Sequence, residues 1–216
     1  MADGGELLSI SETISLRFKA VQSRGKPFDV LPLTFGKEAV AVVTLFSSLL
    51  VNNQMRLFFN VHSKTGFFLA LVPSVITPTM TSYIAFSRLV LQEILAAPAT
   101  SNFYPNCSIC LHLRGVLTLS TFGLLLPFGF SFVASALAAI SVRSYPVPDI
   151  TDAKSMMRML KLCSKSFRIT GSKLLLSHAL FGSILVNSMI RSNQYILSQQ
   201  KIRSDDISIY QPPTEN

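Results

Sequence analysis

Hydrophobic positions in this chain gather into four long blocks without a charged residue: 39–55, 65–87, 115–142 and 174–190, holding 17, 23, 28 and 17 residues. A helix needs roughly 20 mostly apolar residues to cross a hydrocarbon core of about 30 Å, so the second and third blocks are long enough as they stand. The first reaches that length by running past Arg56 through Leu57, Phe58 and Phe59, because an arginine near a helix end extends its stem toward the headgroups. The fourth is the weakest. This pattern predicts an all-α protein, a four-helix transmembrane bundle with spans at about 39–59, 65–87, 115–142 and 174–190. An even number of spans puts both termini on one side.

The flanks and joints refine this. Residues 1–38 form a mixed-charge N-terminal tail of zero net charge, where Gly25, Pro27 and Pro32 are expected to interrupt any long helix. The tail has no apolar signal core, and Asp3, Glu6 and Glu12 do not suit an acid-poor transit peptide. Residues 191–216 read as a polar C-terminal tail. Asn52, Asn53 and Gln54 break the first block, and the short turn to Lys64 makes the first two spans an antiparallel hairpin. Pro73 and Pro78 should kink span two, with Thr77, Thr79 and Thr81 at hand to satisfy the freed carbonyls. Ser131, Ser135 and Ala139, beside Ala134 and Ala138, and then Ala179, Ser183 and Asn187, are spaced as small-residue helix-packing faces.

Composition agrees with a lipid environment: 14% of the 216 residues are charged and 49% hydrophobic, against roughly a quarter charged in an ordinary soluble domain. His178 is the one histidine within the four blocks, which hold no Asp, Glu, Lys or Arg. Pumps, channels and coupled transporters mark their pathways with intramembrane charges, so this poverty weighs against transport, and His178 reads best as a hydrogen bond between helices. No H-E-x-x-H, no G-x-S-x-G, no phosphate-cradling glycine loop and no paired carboxylates within a span occur. The chain is therefore expected to be no enzyme, with no catalytic residue and no cofactor.

Cys107 and Cys110 form a C-x2-C with His112 close by, but a second cysteine pair is missing, so no metal site is expected. The pair is compatible with a disulfide, with a thiol contact to a partner, or with two cysteines of no special role. Before the fourth span, Lys154, Arg158, Lys161, Lys165 and Arg168 recur at spacings of four, three, four and three on one helical face. Met156, Met159, Leu160, Cys163 and Phe167 fall on the other. An interfacial amphipathic helix over anionic lipid such as cardiolipin has this pattern. So does a helix that packs its apolar face on the bundle and leaves the basic face in water. Nucleic acid is not expected despite a pI near 9.7, because no aromatic residues interleave the stripe.

Asn52, Arg56, Asn60 and Val61, then Gly66 and Pro73, then Cys107, Cys110 and Arg114, and finally Ser192, Gln194 and Tyr195 together resemble the transmembrane protein 126 family in order and spacing. Around span two, at Pro78 and Met80, and in the longer loop from Leu89 to Pro105, the chain departs from that pattern. The resemblance implies a multi-pass protein of the mitochondrial inner membrane. It also implies an assembly factor for respiratory complex I (NADH:ubiquinone oxidoreductase) that holds membrane-arm intermediates. The implied partners are complex I membrane-arm subunits and other complex I assembly factors. Two other readings of the residues stand beside it. One is a small-molecule or lipid transporter using Pro73, Pro78, His178 and Asn187, and the other is a thiol-redox protein using Cys107 and Cys110.

Overall fold

The computed structural model describes residues 27–61, 70–96, 108–148 and 152–209. They form four helices, with no strand among the described residues. Helix α1 is Pro27–Phe58. Helix α2 covers 70–96 and α3 covers 108–142, each containing π-helical turns, while α4 is Ala153–Ile209. Ser82 of α2 meets Thr44 of α1, and α1 packs against each of the other three helices. The chain thus runs up and down through a bundle whose first pair is the expected hairpin.

Helix α1 begins twelve residues before the expected start at Ala39. Pro27 takes the first helical position, where a missing N–H costs nothing. Pro32 sits early enough that it forfeits only a bond to Phe28. The two prolines therefore start this helix rather than interrupt it, and Leu33 and Gly36 are buried in the bundle.

The far ends of α1 and α3 stop in the same way. Asn60 has φ 52° and Arg143 has φ 55°, both left-handed. Val61 N–H reaches Arg56 O at 2.9 Å while Asn60 N–H reaches Leu57 O at 3.1 Å. Ser144 and Arg143 repeat that pair of bonds to Ala139 and Ile140. Both are Schellman caps, which satisfy the last carbonyls of a helix. They lie side by side, since the Ser144 hydroxyl donates to Phe59 O at 3.2 Å and the Tyr145 ring packs on Phe59 at 5.5 Å.

Asp152 caps the start of α4, accepting from the N–H groups of Lys154 and Ser155 and from the Ser155 hydroxyl at 2.6 Å. These bonds, led by those from Ser155, hold its carboxyl below the ordinary value. Nothing breaks the helix for 57 residues. The basic segment expected ahead of the fourth span is therefore its own first turns, because Gly171 weakens a helix by only about 1 kcal/mol and no proline lies between Ala153 and Ile209.

Three helices are long and apolar enough to cross a membrane: Leu31–Phe58, Ile109–Val142 and Ala153–Ser198. Helix α2 is not among them; Pro73, Pro78 and five Ser or Thr residues between 74 and 82 dilute its apolar content. It is nonetheless packed on α1 as one of the four rods.

Candidate functional site: the polar belt and the basic face

Two apolar clusters fill the bundle. One gathers Leu33, Val40, Phe86, Ile94, Leu119 and Met189, and the other Val51, Met55, Phe59, Phe132, Cys163 and Phe167. Between them lies a belt of polar contacts that ties all four helices. Ser82 donates to Thr44 at 3.0 Å, Ser47 lies 3.0 Å from Gly123 O, and Ser47 lies 3.2 Å from His178 Nε2. His178 Nδ1 is 2.7 Å from Leu174 O, an acceptor only, so Nδ1 carries a hydrogen, while Nε2 and Gly123 O both face the single hydroxyl hydrogen of Ser47. Both ring nitrogens are thereby engaged, as expected for a histidine that joins helices.

Gly123 makes room for the ring: a Cβ there would stand 2.7 Å from His178 Nε2. Hydrogen bonds of this kind between helices in lipid average only about 0.6 kcal/mol. The belt therefore sets the register of the helices more than their stability.

The belt also fixes depth. Counting about 1.5 Å per residue from it, Lys37, Glu38, Arg88 and Arg114 fall roughly 9–15 Å to one side. Arg56 and Arg168 fall roughly 13–15 Å to the other, close to the half-thickness of a 30 Å core. Lys173, about 8 Å from the belt, is exposed and can reach the same surface along its stem.

On the basic side, Lys154, Arg158, Lys161, Lys165 and Arg168 are all exposed, while Met159, Cys163 and Phe167 are buried. Phe167 stacks on Phe128 at 5.1 Å, and the Cys163 thiol lies 3.2 Å from Met55 Sδ. The apolar face thus packs on the bundle rather than in the acyl boundary, and the cations face outward. Asn52 and Arg56 are buried on α1 one turn apart, in line with Ser48. On α3, Ser131, Ser135 and Ala139 are fully buried, as expected of a packing face. Among the described residues the hydroxyls of Ser48, Ser131 and Ser135 and the Asn52 carbonyl oxygen have no hydrogen-bond partner.

Other expected positions distribute differently. On α4, Ala179 and Ser183 are half-buried and Asn187 is exposed, so the packing face is instead the row through His178, Gly182 and Val186. Gly182 crosses α3 at Gly115, where an added Cβ would meet Val186 at 2.6 Å. Pro73 lies in the π-helical turn Val72–Ile76. Thr77, Thr79 and Thr81 donate to Val72, Val75 and Thr77, not to Ser74, the carbonyl one turn before Pro78. Arg114 pairs with Glu93 at 3.1 Å and joins α3 to α2. Gln194 is exposed and Tyr195 half-buried.

Their neighbour Asn193, absent from the sequence reading, is buried and donates to Ile94 O at 2.8 Å, closing the end of α2. Cys110 is exposed in the first turn of α3; Cys107 and Gly66 lie outside the described residues.

The family model described as transmembrane protein 126 matches residues 9–203. No curated protein and no solved structure matches the chain.

Proposed function

The chain belongs to the transmembrane protein 126 family, and we propose on that premise that it is a non-enzymatic protein of the mitochondrial inner membrane that assists assembly of respiratory complex I. In this reading it holds membrane-arm intermediates while further subunits join them. The observation that carries the reading is the division of the bundle's surface from its interior. The polar belt is turned inward, while Phe35, Phe46 and Leu50 of α1, Val133 and Leu137 of α3, and Leu176, Leu180 and Ile184 of α4 face outward. A surface of that kind offers van der Waals packing to other transmembrane helices and no chemistry.

Complex I membrane-arm subunits would meet these helix faces, and other assembly factors the loops. The five exposed cations of α4 suit an anionic lipid such as cardiolipin at the membrane edge. Deletion of the protein tests the role. Native gels should then show membrane-arm intermediates accumulating and mature complex I falling. Unchanged complex I and unchanged intermediates would overturn it.

A further inference from the structure

The outer face between α2 and α3 carries a groove of about 430 Å³, lined by Leu89, Leu113, Leu117, Thr118, Thr121 and Phe122 and headed by Cys110 and Arg114. Two π-helical turns border it: Ser87–Leu91 contributes Leu89, and Thr121–Leu125 contributes Thr121 and Phe122. Such turns insert an extra residue into a helix, and they recur where a helix serves a site. Along α3 the lining runs from Cys110 to Phe122, twelve steps or about 18 Å. Over that length the lining is mostly apolar, through Leu89, Leu113, Leu117 and Phe122, and suits hydrocarbon.

Its head is polar in a particular way. Arg114 Nη1 stands 3.1 Å from Glu93 Oε1, with the two side chains 48% and 38% exposed. Arg114 also reaches Leu89 O at 3.4 Å, so the guanidinium is held over the groove mouth. This pair lies about 13 Å from the polar belt, near the edge of the hydrocarbon core where headgroups sit. A guanidinium beside a carboxylate complements a phosphate beside a primary ammonium. A headgroup with net negative charge would meet Glu93 unfavourably.

We propose that this groove binds one phospholipid of the phosphatidylethanolamine type, with acyl chain along Leu117 and Phe122, phosphate on Arg114 and ammonium on Glu93. The site is separate from the basic face of α4 and does not depend on the assembly role.

The test uses the full chain in phosphatidylcholine vesicles with equal minor amounts of phosphatidylethanolamine and phosphatidylglycerol, solubilised and weighed by native mass spectrometry. One phosphatidylethanolamine should be retained per chain, in about tenfold excess over phosphatidylglycerol. Leu117 is 55% exposed, so Leu117→Trp fills the groove without entering the core and should remove the retained lipid. Glu93→Gln should level the two lipids. Leu137→Trp, also at a 55% exposed position but outside the groove, should change neither. Leu113→Trp serves as a second plug, so that one misfolded variant does not decide the result. Retention of no lipid, of phosphatidylglycerol in preference, or of bulk phosphatidylcholine alone overturns the proposal. So does equal retention in the plugged and control variants.

Discussion

Gly123 shows how much a single missing side chain can decide. A Cβ at this position would press on His178 Nε2 at 2.7 Å and Cδ2 at 2.8 Å, and both atoms belong to a rigid ring held by two contacts. Overpacking of that kind costs about 1–3 kcal/mol. Gly123→Ala should therefore lower the melting temperature of the detergent-solubilised protein. Gly129→Ala, on the same helix but with nothing within 4 Å, should leave it unchanged or raise it slightly. Equal melting temperatures for the two variants would refute the packing role of Gly123. At this scale the sequence was only partly readable. His178 stands out as the one histidine in the blocks, but nothing in the pattern distinguishes Gly123 from Gly129, because the difference depends on what the opposite helix presents.

Single polar residues also govern how whole helices end. Asn193 occupies a last-turn carbonyl of α2, that of Ile94, from a distance of 99 positions in sequence. Leaving a buried acceptor unpaired costs about 1–3 kcal/mol, so Asn193→Ala should speed amide hydrogen exchange in residues 90–96 and spare the middle of α1. Uniform acceleration through the bundle would count against a local cap.

The start of α4 is sensitive to pH instead. The folded-state value of Asp152 is depressed, so its capping contribution is fully present above the ordinary carboxylate value of about 3.9 and is lost as pH falls through the lower folded value. The Lys154 and Ser155 amide resonances should move through that range, and Asp152→Asn should abolish the titration. Existence and order of the helices were legible from the charge-free blocks, as was the α1–α2 hairpin. Their limits were not. Proline predicts an interruption where Pro27 opens α1, and the 174–190 block is short because many residues in the turns that extend it to Ala153 and Ile209 are polar or basic. Period and charge report which face meets lipid, whereas helix ends depend on caps such as Asn60, of a residue type that tolerates the left-handed backbone, and Arg143, of a type that rarely adopts it.

For the molecule as a whole, the belt and the charges on either side of it describe a slab. Glu38→Cys and Ser144→Cys, each introduced alone into a chain lacking its native cysteines, should react with an impermeant maleimide from opposite faces of the membrane. Labelling of both from one face would dismiss the slab and the span assignments with it. Surface chemistry at this scale was foreseen in its cations and missed in its groove, since the α2–α3 groove needs two helices in register before it exists.

The connections made by α4 also impose an order in time. His178 completes the belt, Gly182 closes on Gly115, and Asn193 finishes α2, yet all three follow the other helices along the chain. Without α4 the first three helices would leave a polar socket open at Ser47 and Gly123, and the last helix works as the bolt. A premature stop anywhere in α4 before Asn193 should cost more than its own residues, because it leaves the earlier part of the chain inserted but unlocked.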